Sequence, residues 1–162
     1  MNKYLLDNYT GKIAKPSTVF SLKQEGRVLI FEFVANESSL TSFSKINNDT
    51  LYEDNVVEVF LDLGDDFYYE FEVAPNGATF VAKIKNRNIE FFDCEFFSAT
   101  SEIINNGYHV IMKIDLEKIN DPKFIKYNAF RIEVDEKKNA CLQALSPTFC
   151  DTFHKKEKFI SL

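Results

Sequence analysis

Two Asn-Gly dipeptides, Asn76-Gly77 and Asn106-Gly107, each separate two runs in which apolar and polar residues alternate. Asn-Gly between period-2 runs is the strongest short-range hairpin signal, because turns that match strand twist need positive φ at their centre. The rest of the chain repeats the pattern. Strand-like runs occupy residues 17–23, 27–35, 55–63, 67–74, 78–85, 88–92, 96–104, 108–115, 129–135 and 140–145, with turn residues at 25–26, 64–66, 75–77, 86–88 and 105–107. Many short strands separated this way predict an all-β, antiparallel β-sandwich of immunoglobulin-like type. Helical signal is confined to residues 115–119, where Asp115 can cap one short turn ahead of Pro122. Residues 38–48 are polar and irregular, the longest candidate loop. Long loops on a rigid sandwich are where binding residues gather.

Composition fits a thick aromatic core: 17 Phe and 7 Tyr, with 5 Gly, 4 Pro and no Trp. At 162 residues the chain reads as one domain, residues 1–162. A net charge of −6 argues against nucleic acid as a partner, since a phosphate-backbone binder needs a basic footprint. No apolar run approaches the roughly 18 residues of a membrane span. The first ten residues hold one lysine and no apolar core of signal-peptide length, so a cytoplasmic chain is expected. Cys94, Cys141 and Cys150 are odd in number and lack C-x-x-C spacing, which predicts reduced thiols. With only His109 and His154 beside them, they make a poor zinc set.

Alternation sorts the candidate site residues by face. Val57, Val59 and Leu61 share one face of their run, opposite Val56, Glu58, Phe60 and Asp62. Tyr69, Phe71 and Val73 lie opposite Glu70 and Glu72; Phe130, Ile132 and Val134 lie opposite Arg131, Glu133 and Asp135. If these strands share a sheet, Glu58, Glu70, Glu72, Arg131 and Glu133 decorate one polar surface. Glu58 is then either an acceptor for a ligand hydroxyl or a buried carboxylate paired with Arg131. Arg131 is either the other half of that pair or a fork for a carboxylate or diol.

Other residues are assigned structural roles. Asp54 reads as a turn former. Asp62, Asp65 and Asp66 bracket a turn with oxygen ligands, but their spacing matches a solvated acidic turn better than a calcium loop, so no cofactor is expected. His154 is expected to pin the C-terminal segment through backbone hydrogen bonds, and His109 to sit at a surface or edge. Of the pairs Phe91-Phe92 and Phe96-Phe97, one ring of each should leave the core. An outward ring could extend a binding platform or form a homodimer contact.

Three stretches carry a family resemblance. Residues 52–61 (YEDNVVEVFL), 69–77 (YEFEVAPNG) and 153–159 (FHKKEKF) resemble the family 9 carbohydrate-binding modules and their stand-alone relatives, sandwiches of the wider DOMON-like group. The resemblance implies a non-catalytic domain that holds a sugar between two tryptophans, with polar side chains fixing the hydroxyls. This chain departs from that pattern in having no Trp. The resemblance puts one clamp position at Leu145 and the other in the loop ahead of Tyr52, where Phe43 is the aromatic. Lys156 stands where relatives tend to have Pro, Ile160 where they have Gly, and Ala129 where Asn is common.

The expected function is therefore binding of a small saccharide or related polyol, with Glu58, Glu72, Arg131, Phe43, Leu145 and Lys83 as candidate ligand-binding residues. Lys83, Lys85 and Arg87 form the compact basic cluster a sugar phosphate would need. Other classes remain open at this point: an interaction or structural protein that has lost the sugar clamp, a glycoside-acting enzyme using Glu58, Glu70 and Glu72, and a haem binder using Met112 and the histidines.

Overall fold

The computed structural model describes residues 1–37, 46–119 and 122–162. Each strand run read from the alternation forms a strand. In chain order the strands are β1 (Lys3–Tyr4), β2 (Leu6–Asp7), β3 (Thr18–Glu25), β4 (Val28–Asn36), β5 (Val56–Asp62), β6 (Tyr68–Val73), β7 (Thr79–Lys85), β8 (Asn88–Phe91), β9 (Phe97–Ile104), β10 (Gly107–Asp115), β11 (Lys126–Val134), β12 (Ala140–Ala144) and β13 (Ile160–Ser161). The two-residue strands β1, β2 and β13 are too short to show a period. The expected helical turn is a 3₁₀ turn at Leu116–Lys118, where Asp115 accepts from the Glu117 N–H at 3.0 Å.

One sheet has the order β1-β3-β4-β10-β9. The other runs β2-β12-β11-β5-β6-β7-β8, with β13 also paired to β11. Every pairing is antiparallel. Phe20, Phe31 and Phe33 from the first sheet meet Val57, Val59, Leu61, Phe71 and Tyr127 from the second in the main core. Phe20 and Phe33 pack edge to face with ring centroids 5.1 Å apart.

Turn chemistry sets the registers. Gly77, at φ +84°, donates its N–H to Ala74 O at 2.9 Å and closes the β6–β7 hairpin. Gly107 serves differently: it opens β10 at φ +147°, and a Cβ there would lie 1.9 Å from Ala35 O. Only glycine lets β10 approach β4 this closely. Asn86 and Arg87, both at positive φ, turn β7 into β8.

The second sheet departs from the expected division into one dry and one wet face. All residues of β5 and β6 are buried. Its outer face carries a second apolar cluster, in which Phe60, Tyr68, Phe80, Phe130 and Ile132 are covered by Leu51, Phe153 and Phe159. The C-terminal segment supplies this cover: Phe153 stacks on Phe130 at 4.2 Å and His154 on Phe60 at 5.2 Å. Asn8 holds the segment from the other end, donating to Thr148 Oγ1 and Cys150 O and accepting from the Thr148 N–H, each at 2.8 Å.

Phe96 lies just before β9, so it escapes strict alternation and packs on the main core together with Phe97. Phe91 follows the expected rule: it is half exposed, while Phe92 packs inward. Cys94, Cys141 and Cys150 are unbridged and partly buried. His109 lies on an interior strand of its sheet, half buried, with Nε2 3.0 Å from Glu32 Oε1.

Candidate functional site

The outer face of the second sheet is not fully covered. A cavity of about 260 Å³ remains between the strands and residues 151–154. Phe60, Phe80, Ile132, Leu142 and Phe153 give it apolar walls, Tyr52 stands at one side, and Glu58 and Glu70 line it as acids. Such a mix of apolar walls and a few convergent polar groups is the usual make-up of a small-ligand site. Tyr52 lines the cavity while remaining 44% exposed. It also borders a shallower hollow of about 470 Å³ lined by Glu53, Asp54, Val134, Lys138 and Ala140. On the other side, beyond His154 and Asp151, a recess of about 340 Å³ leads to Arg87.

Register explains how the acids meet. Glu58 and Glu72 are directly opposite in the β5–β6 pair, and Glu70 is opposite Phe60, two residues along the same face. One carboxylate oxygen from each of Glu58, Glu70 and Glu72 lies within 4.8 Å of the other two. All three side chains are buried. Glu58 Oε1 and both oxygens of Glu72 lack a hydrogen-bond partner. Burial, reinforced by the neighbouring acids, raises Glu58 and Glu72 well above the usual carboxylate range. Burial lifts Glu70 to about 7, with the adjacent Glu72 carboxyl pulling the other way. All three thus keep their protons to higher pH than ordinary carboxyls, and a protonated carboxyl can donate as well as accept hydrogen bonds.

His154 is tied to this wall by its side chain and not, as expected, by the backbone. Its Nδ1 lies 2.6 Å from the Tyr68 hydroxyl. Burial and then the nearby Arg87 lower the His154 pKa, and burial raises that of Tyr68. A neutral imidazole accepting the Tyr68 proton satisfies both shifts.

The remaining candidate residues lie elsewhere. Arg131 is opposite Val57 in register while Glu58 is opposite Phe130, so the expected Glu58–Arg131 pair does not form. Arg131 points between the sheets, donating from Nη1 to Thr18 Oγ1 at 2.9 Å and Asn36 O at 2.6 Å. Its Nη2 lies 3.4 Å from Glu37 Oε1. The expectation of one polar surface fails because β11 turns its Arg131 face, which also holds Tyr127 and Ala129, toward the core. Leu145 packs against that core and not in the cavity. Lys83 is also absent from the cavity, lying over the rings of Phe67 and Phe92 at 5.1 and 4.9 Å. Lys85 is paired with Asp66 and Arg87 belongs to the recess, so the basic cluster is dispersed. Phe43 lies outside the described residues. Asp62 accepts from the Gly64 N–H at 3.1 Å and faces Lys156 Nζ at 3.0 Å. Asp54 accepts from the Asn55 N–H at 2.8 Å, as a turn former would.

Several lining residues were not singled out by the sequence. Glu70 was legible, since alternation puts it on Glu58's face one strand away. Tyr52 carried a weaker signal, an aromatic beside two acids just ahead of a strand. Phe153 and His154 lie in the 153–159 stretch that carries the resemblance, but their place over the sheet was not legible, because a chain end folding back across a sheet leaves no periodic trace.

No protein-family model matches the sequence. The search of curated proteins finds no match either. Solved structures do match. A protein from Bacteroides uniformis proposed to bind carbohydrate aligns over 98% of this chain and 84% of its own, with 19% identity and a TM-score of 0.80. A family 9 carbohydrate-binding module from Caldicellulosiruptor kristjanssonii in complex with glucose aligns over 98% and 81%, with 15% identity and a TM-score of 0.72. One from the same organism in complex with cellotriose aligns over 88% and 71%, with 17% identity and a TM-score of 0.64. Different as the sequences are, this chain has the β-sandwich fold of the family 9 carbohydrate-binding modules.

Proposed function

We propose that this chain is a non-catalytic module that binds a small saccharide in the cavity on the outer face of its second sheet. The observation that carries this reading is the pairing of a half-exposed ring, Tyr52, with the buried carboxyls of Glu58 and Glu70 in one cavity. A pyranose presents C–H groups to an aromatic face and hydroxyls to polar groups, and this arrangement offers both. The volume is below the roughly 300–1,000 Å³ of drug-sized pockets, which suits a monosaccharide or one end of a longer sugar. The fold likeness to modules solved with glucose and cellotriose supports the same reading.

The acids argue for binding over glycoside hydrolysis. Glycosidase carboxyls flank the scissile bond, about 5–5.5 Å apart in retaining enzymes and further apart in inverting ones. Here the carboxyl oxygens crowd within 4.8 Å of one another on neighbouring strands of one sheet, without the separation that flanks a scissile bond.

Isothermal titration with glucose, cellobiose and other mono- and disaccharides tests the proposal. Saturable binding that Tyr52→Ala weakens by about tenfold or more, through loss of the stacking face, supports it. Absence of binding at millimolar sugar overturns it.

A further inference from the structure

The cavity presents more acidic oxygen than its protein surroundings satisfy. Glu58 is 2% exposed, lines the cavity and leaves Oε1 without a partner. Glu72, fully buried behind it, leaves both oxygens without one. Asp151 adds a third acid to the lining, which among the described residues contains no lysine or arginine. The cation at hand, Arg87, belongs to the recess on the far side of His154. Inside the sandwich the same protein treats a buried acid differently: Glu37 has the Arg131 guanidinium beside it. Burying carboxyls is costly unless they keep a proton or an opposite charge joins them, so a cluster with no cation among the described residues leaves room for a ligand cation to take the proton's place.

The walls indicate what kind of cation. Tyr52, Phe60, Phe80 and Phe153 line the same space, and aromatic faces attract organic cations. An ammonium group has three N–H donors in tetrahedral array. With charge-assisted bonds of about 2.8 Å, two acceptors on one ammonium stand roughly 4.6 Å apart. Glu58 and Glu70 each bring a carboxyl oxygen within 4.8 Å of the other, close enough to share one ammonium. A bare calcium ion asks instead for about six to eight oxygens and gains nothing from apolar walls.

We propose that the cavity selects a saccharide bearing a primary ammonium group, an amino sugar over a neutral hexose, with its nitrogen seated against Glu58 and Glu70. The proposal rests on the saccharide reading and sharpens it.

The test is calorimetric titration of the full chain at pH 7 and fixed ionic strength with glucose, glucosamine, N-acetylglucosamine and, separately, calcium chloride. The expected result is glucosamine binding at least about tenfold tighter than glucose, because charge-assisted hydrogen bonds replace neutral ones. N-acetylglucosamine, which keeps the nitrogen and loses its charge, should show no such advantage. Glu58→Gln and, independently, Glu70→Gln should shrink the glucosamine-to-glucose ratio toward one. Equal affinity for glucose and glucosamine overturns the inference and leaves the saccharide reading standing. No binding of any sugar overturns both. Stoichiometric calcium binding, lost in Glu58→Gln, with no preference for glucosamine, reassigns the carboxyls to a metal and overturns the ammonium.

Discussion

Glu58 and Glu72 face each other across the β5–β6 pair, two buried carboxyls in direct register on a face shared with Glu70 and with Phe60, Tyr68 and Phe130. Like charges directly opposite destabilise a sheet, and burial makes the repulsion worse. Retained protons relieve it, which links the stability of the sheet to pH.

The sign of that link follows from where the protons go. The unfolded chain releases them near the ordinary value of 4.5, while the folded chain keeps Glu70's to about 7 and holds those of Glu58 and Glu72 well above the ordinary value. Between those limits the folded state holds more protons, so its stability falls as pH rises. The stabilisation is complete below the unfolded value and is lost as pH climbs through the folded one. Urea unfolding at steps from pH 5 to 8 should lose on the order of a few kcal/mol. Glu72→Gln should flatten the slope, whereas an unchanged slope would mean the carboxyls are ionised in the folded protein.

Arg131 gives a prediction that separates structure from binding. It joins β11 to Thr18, Asn36 and Glu37 without reaching the cavity. Removing one partner of a buried ion pair costs about 3–5 kcal/mol. Arg131→Met should therefore melt at markedly lower temperature yet, when folded, bind saccharide with unchanged affinity. Loss of affinity in a folded Arg131→Met protein would restore it to the site.

Gly107→Ala should rank among the most destabilising single changes. Its Cβ would collide with Ala35 O at 1.9 Å, and backbone carbonyls cannot rotate away as side chains do. β10 would have to withdraw from β4, at a cost of about 3 kcal/mol or more. Thermal denaturation checks this against Gly26→Ala, where no atom lies within 4 Å and the cost reduces to strain at φ +60°.

His154→Phe keeps the stack on Phe60 and removes the contact with Tyr68. The Tyr68 hydroxyl would then be left without that partner, at about 1–3 kcal/mol. Chemical denaturation should show that loss, and ultraviolet titration should show Tyr68 still ionising above a free tyrosine, because burial is the largest cause of its shift.

Much of the fold was legible because period-2 alternation and turn chemistry act locally. The runs at 56–62 and 68–73 and the Asn76-Gly77 turn required no knowledge of distant residues. The site was legible only in part. Glu58 and Glu70 follow from the same alternation. Arg131 could not be placed, since its strand has apolar residues on one face and Tyr127 and Ala129 on the other, and only pairing with β5 decides which turns inward. Leu145 and Lys83 were misplaced for a related reason: each faces the inter-sheet side, which sequence could not tell from the outer side of a sheet buried on both. Phe153 and His154 depend on a return of the chain over the sheet that Asn8 and Thr148 secure across 140 residues.

The central claim is that saccharide enters the outer cavity bounded by Tyr52, Glu58, Glu70 and residues 151–154. Amide chemical-shift mapping on titration with glucose and glucosamine tests it most directly. The account predicts saturable shifts centred on Tyr52, Glu58, Glu70, Thr152 and His154, with Lys83, Arg131 and Leu145 undisturbed. Shifts centred on Lys83 or Leu145, or none at saturating sugar, would contradict it.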